Sequence, residues 1–349
     1  MNNYTLEKII SVTKDRKPDW NNILSVLKKE TPKRPTLFEF FLNDPLERKI
    51  AMWEDEFKNE DEKLICKIKA FRNAGYDYVT MHPSNFYFEH GGGNHGKSSL
   101  SANEGAMIFD RESFDRYKWQ DPRDFYDGRL ERLEKHLPDG MKFIVFSPGG
   151  VLENTINLLG FDNLCYLLLD DPELVELVVD NIGQRILNFY AQVVNLDCVG
   201  AIVSNDDWGF NTQTMLSTAD MRKYIFKWHR KIAQLAHDAG KPVILHSCGN
   251  LSTVFDDIIN DMKFDGKHSY EDNIVPVEKM YDVYSGKLAV LGGIDMDYVC
   301  RSSQEDIYNR AKNMLTKTGC KGYALGTGNS IPTYLPDENY FAMISAALY

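Results

Sequence analysis

Short apolar segments alternate with helical patterns along this chain, and this alternation restricts the fold more than any other feature. Alternating strands and helices form parallel sheets with crossover helices. Eight such units in a chain of 349 residues predict a (β/α)8 TIM barrel of the α/β class, with an open doubly wound sheet as the alternative. The predicted strands span residues 36–41, 76–82, 142–147, 199–204, 242–245, 266–270, 287–291 and 321–325.

Domain organisation follows from the same pattern. No linker rich in proline, glycine and serine divides the sequence. We therefore expect one domain over residues 1–349. Residues 1–35 carry two short helical patterns and predict a helical extension before the barrel. Residues 83–115 form a long polar segment, which we expect to lie over the mouth of the barrel.

One segment matches a nucleotide-binding motif that we do not accept. Residues 91–98, GGGNHGKS, fit the phosphate-loop pattern G-x-x-x-x-G-K-[ST]. That loop needs a buried strand before it and a helix that begins at the lysine. The sequence after the lysine, SSLSANEG, is a poor helix start. We interpret the segment either as a lid that closes on a substrate or as a mobile loop.

Composition excludes several kinds of partner. The net charge of −11 at pH 7 disfavours binding to nucleic acid or to an anionic membrane surface. No apolar run reaches the roughly 18 residues that a membrane span needs. The first residues lack the pattern of a secretory signal. The six cysteines are scattered without a CxxC pair, and we therefore expect a cytoplasmic protein with free thiols.

Polar or ionisable side chains follow nearly every predicted strand, and in a barrel these positions form the active-site face. Polar residues also collect there simply because strand ends are solvated. Trp208 is equally consistent with a pocket wall and with core, and Asp295 with a ligand contact or a turn cap. We expect His229 and His237 at the surface or an interface. The candidate substrate-binding residues are Glu39, His82, Asp206, Trp208, His268, Asp295 and Asn329.

Residues 241–250, KPVILHSCGN, carry the most specific chemistry in the chain. His246 and Cys248 lie two residues apart at the end of a predicted strand, so their side chains point to the same side. Imidazole and thiolate are favoured zinc ligands. The motif is weak by itself, because a packed cysteine near a hydrogen-bonded histidine is also common.

Several blocks resemble the uroporphyrinogen decarboxylase superfamily, and more closely its corrinoid and coenzyme M methyltransferase branch. The blocks HSCGN, GGID and GYALGTGNSIP lie within residues 140–348, which the resemblance covers. It implies a (β/α)8 barrel with a deep cavity at its C-terminal mouth. The decarboxylase branch implies arginines after the first strand and an aspartate after the second. This chain has FEFFLND and Met81-His82 there, which disfavours tetrapyrrole decarboxylation.

The methyltransferase branch implies a His-x-Cys pair and a later cysteine as zinc ligands. His246 and Cys248 match this pair, whereas Asn329 lies where the later cysteine would be. We expect Asp207, Glu271 or both to complete the zinc site, after weighing Asp206 and Glu153 as well. Asp207, His246 and Glu271 are the expected catalytic residues.

The leading hypothesis is therefore a zinc-dependent methyltransferase. It would move a methyl group between a small methylated compound or thiol and a corrinoid protein. One alternative is a decarboxylase that acts on a tetrapyrrole, and the other is a non-catalytic ligand-binding barrel. The resemblance also leaves a homodimer open.

Overall fold

The computed structural model describes residues 4–91, 103 and 105–349. In this part of the chain, one parallel sheet has seven strands in chain order, β1 to β7. Their register places Asn205 beside His246, and His246 beside His268. The strands are β1 (Tyr78–Met81), β2 (Lys142–Phe146), β3 (Val199–Asn205), β4 (Val243–His246), β5 (Gly266–His268), β6 (Ala289–Leu291) and β7 (Tyr323–Ala324).

Helices connect the strands, as expected of parallel pairing. Those before and around the first three strands are α1 (Leu6–Thr13), α2 (Trp20–Leu27), α3 (Asp44–Ala51), α4 (Glu60–Ala74), α5 (Arg111–Arg116), α6 (Arg129–Glu134), α7 (Val151–Leu159), α8 (Phe161–Asp170) and α9 (Pro172–Ala191). The remaining ones are α10 (Thr218–Asp220), α11 (Phe226–Asp238), α12 (Val277–Tyr284), α13 (Met296–Arg301), α14 (Gln304–Thr318) and α15 (Asp337–Leu348).

Local sequence signals explain where many of these helices begin and end. Asn59 caps α4 by accepting a hydrogen bond from a backbone N–H, and Gly75 ends that helix at φ 94°. Asp171 caps α9, and Pro172 is its first residue. Such signals are short-range, so they fix these bounds without reference to the rest of the fold.

The predicted strand at residues 36–41 is not a regular strand in the structure. Leu37 forms a single parallel bridge with Leu325, just after β7. Toward β1, the segment is held by side chains instead of backbone pairing. The Tyr78 hydroxyl donates to the Glu39 carbonyl, and the Thr80 hydroxyl donates to the Phe40 carbonyl, each at 2.7 Å. The α/β class and the parallel sheet are confirmed; the eighth regular strand is not.

Two helical segments are interrupted by irregular turns. Residues 251–262 contain a 3-10 turn, Ser252–Val254, and a π-helical turn, Asp257–Asp261, instead of a continuous α-helix. A second π-helical turn, Met221–Ile225, separates α10 from α11. The phosphate-loop match at residues 91–98 lies outside the described residues except for Gly91.

Helix α2 covers the N-terminal end of the sheet. Gly200 at the start of β3 faces the Trp20 ring, and a Cβ at Gly200 would lie 2.6 Å from that ring. Gly266 at the start of β5 packs in the same way against Leu27. Helix α2 thus leaves the C-terminal ends of the strands uncovered, and a functional site can form at that end of the sheet. Among the described helices, none is long and apolar enough to cross a membrane.

Candidate metal centre

Three side chains that can bind a metal meet at the C-terminal ends of β3 and β4. The ligand atoms of Asp207, His246 and Cys248 lie within 4.8 Å of one another. His246 is the last residue of β4, and Asp207 follows two residues after β3. A carboxylate, an imidazole and a thiolate form a donor set that suits zinc with one open position. The residues present therefore fit the metal that the sequence predicts.

The Gly249 backbone explains why the HSCGN segment turns so sharply after Cys248. Gly249 has φ 87°, and a Cβ there would lie 2.1 Å from the carbonyl oxygen of Gly209. A larger residue would therefore push the loop that carries Asp207 away from the loop that carries Cys248. The glycine keeps the two loops in contact.

The Cys248 sulfur is surrounded by hydrogen-bond donors. It accepts from the Ser269 hydroxyl at 3.3 Å and from the Asn329 amide at 3.4 Å. The Cys248 backbone N–H donates to Asp207 at 2.8 Å. Burial and the nearby Asp207 carboxylate raise the pKa of the free thiol to about 12. Asn329 thus contacts the sulfur from the position where the resemblance implies a second cysteine.

His246 contacts His268 on the neighbouring strand. Their Nδ1 atoms are 2.8 Å apart, and the other nitrogen of His268 lies 3.2 Å from the Thr327 carbonyl. Burial lowers the pKa of His268 to about 3 and holds the pKa of His246 well below its ordinary value. Both rings are therefore neutral, which is the form of histidine that binds metals.

Glu271 and Lys267 lie at the edge of this group. The Glu271 carboxylate accepts from the Gly249 N–H at 3.4 Å and is not among the three side chains whose ligand atoms cluster. Lys267 is buried and donates to the carbonyls of Ser247, His268 and Ser269. Burial lowers its pKa to about 8, while nearby Cys248 and Asp207 favour its charged form.

Asp206 points away from the metal group and into the core. It accepts from the backbone N–H groups of Leu152 and Glu153 at 2.9 Å each, at the start of α7. Its carboxylate also lies 2.9 Å from Nε2 of His229. His229 is 1% exposed, contrary to the surface or interface position expected from the sequence. Asp206 therefore joins β3, α7 and α11.

Glu39 is also fully buried and bonds to Thr327. It accepts from the Thr327 backbone N–H at 2.7 Å and contacts the Thr327 hydroxyl at 2.6 Å. Burial raises the pKa of Glu39 to about 8. The residue ties the 36–41 segment to the loop after β7, close to Asn329.

The other predicted residues are not among the clustered ligands. His82 bonds the Ser84 carbonyl and packs on Phe146 and Phe189, and burial lowers its pKa to about 4. Trp208 is fully buried and lines none of the cavities found among the described residues. Asp295 caps α13 and also accepts from a backbone N–H in the loop after β5. For these residues, substrate binding stays a prediction.

A cavity of about 310 Å³ adjoins Asp207 and His246. Its wall includes Asn205 and Phe146, which the sequence analysis missed, and Glu153, which it considered only as a ligand. Burial, together with Asp206 and Asp207, raises the pKa of Glu153 to about 8. Asn205 is the last residue of β3 and directly precedes Asp206 and Asp207. Selecting every polar residue at a strand end would therefore have identified Asn205 as a candidate.

A comparison with models of protein families identifies the family of this chain. The model of the uroporphyrinogen decarboxylase (URO-D) family matches residues 106–348. The chain belongs to the URO-D family. The family recognised from the sequence is thereby confirmed, and the matched part of this URO-D protein contains all three clustered ligands.

Solved structures show the same fold. A methyltransferase from Methanosarcina mazei is 14% identical, with a TM-score of 0.69 over 95% of this chain and 98% of that one. A B12-independent methionine synthase from Shewanella sp. W3-18-1, in complex with selenomethionine, is 14% identical, with a TM-score of 0.52 over 90% and 96%. A comparison with curated protein sequences finds no match.

The cavity beside His246 differs from what a decarboxylase of this family would need. Among the described residues that line it, none is an arginine or a lysine. A substrate with several carboxylates would therefore find no cationic partner there. This agrees with the sequence argument against tetrapyrrole decarboxylation.

Proposed function

We propose that this URO-D protein is a zinc-dependent methyltransferase that transfers a methyl group between a small methylated compound or thiol and a corrinoid protein. The observation that carries the proposal is the convergence of Asp207, His246 and Cys248 at the strand ends. The fold supports it as well, because it is shared with the methyltransferase of known structure.

Each residue has a defined part in this proposal. Asp207, His246 and Cys248 would hold the metal. Glu271 lies beside this group, where its carboxylate accepts a hydrogen bond from the Gly249 N–H. A bound zinc ion supplies Lewis-acid chemistry that lowers the pKa of a thiol or hydroxyl group. Ser269 and Asn329 donate to the Cys248 sulfur and thereby favour its thiolate form. Buried Lys267 favours the same form through its positive charge.

The first experiment measures zinc content and methyl transfer together. Protein purified without chelator is analysed for metal, and methyl transfer to a free cobalt(I) corrinoid is followed by absorbance. We expect about one zinc per chain, and Cys248→Ser should lose both zinc and activity. Full activity in Cys248→Ser would reject the proposal.

Matched variants make this test specific. Cys320→Ser changes a cysteine that is also partly buried but lies between α14 and β7, outside the clustered ligands, and this variant should keep its zinc. Asp207→Asn should lose more zinc affinity than Glu271→Gln, since only Asp207 belongs to the clustered ligands. A larger loss in Glu271→Gln would identify Glu271 as the carboxylate ligand instead.

The non-catalytic barrel remains the second hypothesis, because the described cavities could bind a ligand without chemistry. It predicts zinc-free protein that binds a corrinoid protein tightly. Size-exclusion chromatography with and without such a partner separates the two hypotheses and reports whether the chain forms a homodimer.

A further inference from the structure

The wall of the cavity beside the proposed metal centre is partly aromatic. Three phenylalanine rings form part of its wall. Its polar groups come from Ser147, Glu153, Asn205, Asp207 and His246. The aromatic residues are Phe40, Phe41 and Phe146.

The three rings form a corner. Phe40 and Phe146 stand at 82° with centroids 5.3 Å apart, and Phe41 and Phe146 stand at 80° with centroids 4.9 Å apart. The faces of aromatic rings are negative, and corners of such rings recognise quaternary ammonium groups. The protein already places one ammonium against them from outside the cavity, because Lys67 Nζ lies 5.2 Å from the Phe41 ring.

The charged groups of the wall point to the same class of ligand. Among the described lining residues, the ionisable ones are Glu153, Asp207 and His246, and none of them carries a permanent positive charge. An anion placed there would face carboxyl groups without a cationic partner. A cation would instead face the carboxyl oxygens of Glu153.

Asn205 adds a free polar group aimed at this space. The residue is 9% exposed, and its Oδ1 accepts from the Ser147 backbone N–H at 3.2 Å. Its side-chain NH2 makes no hydrogen bond within the described part of the chain. This amide lines the cavity and can donate to an acceptor on a ligand.

We propose that this cavity binds a methylated ammonium compound as the methyl donor, with its cationic head against the phenylalanine corner and Glu153. The inference rests on the proposed methyl transfer and names its substrate class. In the transfer, one N–CH3 bond breaks and its electron pair stays on nitrogen, which leaves as a neutral amine. The methyl carbon bonds to the electron pair of a thiolate or a cobalt(I) corrinoid. The leaving nitrogen of a quaternary ammonium donor needs no proton.

Among the described residues, a second cavity adjoins this one on the side of the protein surface. A second cavity, of about 390 Å³, shares Pro148, Gly149 and Glu153 with the first and is also lined by Tyr87 and His90. Tyr87 is 56% exposed, so this second cavity reaches the protein surface. The carboxyl group of Glu153 thus borders both cavities.

Calorimetric titration of the full chain tests the inference with two probes of equal shape. Choline carries the quaternary ammonium, and 3,3-dimethylbutan-1-ol is its uncharged isostere. We expect choline to bind about tenfold more tightly than the isostere, which corresponds to about 1.4 kcal/mol and lies within the range of cation–π contributions. Equal affinity for the two probes, or tighter binding of ethanesulfonate, would overturn the inference.

Substitutions in the cavity wall test where choline binds. Phe146→Leu and Glu153→Gln should each weaken choline binding several-fold, whereas Phe255→Leu, which changes an aromatic wall of a different cavity, should not. Phe40→Leu replaces Phe146→Leu if the latter does not fold. Unchanged choline binding in Phe146→Leu and Glu153→Gln would place the cation elsewhere and overturn the inference.

Zinc analysis of the same samples separates this inference from the proposed function. Protein that binds choline without zinc supports the ammonium site while rejecting the metal-dependent mechanism. Protein that holds zinc but does not distinguish choline from its isostere keeps the proposed function and overturns the ammonium donor.

Discussion

His246 and His268 face each other at the ends of β4 and β5, with their Nδ1 atoms 2.8 Å apart. The Thr327 carbonyl can only accept, so the His268 Nε2 beside it carries the proton. Since His268 is neutral, its Nδ1 is then bare and accepts from Nδ1–H of His246. This leaves Nε2 of His246 unprotonated and available to a metal. His268 thus orients the proposed ligand and selects its tautomer.

We expect His268→Leu to weaken zinc binding by about 10- to 100-fold, because His246 would lose the acceptor that fixes its tautomer. Competition with a chromophoric chelator measures the zinc affinity. His268→Asn is the matched control, since its amide oxygen can accept in place of Nδ1 and should restore part of the affinity. Equal zinc affinity in wild type and His268→Leu would contradict this role.

Asp206 and Asp207 are adjacent, but they should respond differently to substitution. Asp206→Ala leaves two backbone N–H groups of α7 and the buried His229 without their acceptor. We expect the free energy of unfolding to fall by about 2–4 kcal/mol. Asp207→Ala removes one hydrogen bond to Cys248 and should cost about 1 kcal/mol. Urea unfolding of both variants tests this, and equal losses would show that Asp206 is no more structural than its neighbour.

The periodic parts of the fold were predictable because they depend on short-range signals. The bounds of Glu60–Ala74 and Val151–Leu159 follow from caps, glycines and apolar spacing. The segment at residues 36–41 was predicted as a strand from its apolar character alone. In the structure its contacts to β1 run through the Tyr78 and Thr80 side chains, which periodicity cannot show.

The site was predictable only in part. His246 and Cys248 were identified because i and i+2 spacing at a strand end places both side chains on one side. Asp206 and Asp207 look equivalent in sequence, and only the position of α7 and His229 assigns one of them to the core. The aromatic corner of Phe40, Phe41 and Phe146 joins residues from distant segments, so no local pattern could indicate it.

Glu39 combines burial with an unusual set of contacts. The Thr327 hydroxyl lies 2.6 Å from the Glu39 carboxyl and 2.5 Å from the Asn329 carbonyl. This hydroxyl has one hydrogen, and the carbonyl can only accept. Thr327 therefore donates to Asn329, and a protonated Glu39 donates to Thr327. The raised pKa of Glu39, about 8, agrees with this proton count.

The stability of the protein should therefore fall with pH through Glu39. The unfolded chain releases this proton near pH 4.5, whereas the folded chain keeps it to about pH 8. The free energy of unfolding therefore falls as the pH rises between these two values. Glu39→Gln keeps a donor and an acceptor but does not titrate. From pH 5 to pH 8, wild type should lose up to about 4 kcal/mol more unfolding free energy than Glu39→Gln. Urea unfolding at both values measures the difference. Other buried carboxyl groups, such as Glu47, titrate in both proteins and cancel, so parallel pH profiles would mean that Glu39 is ionised in the folded state.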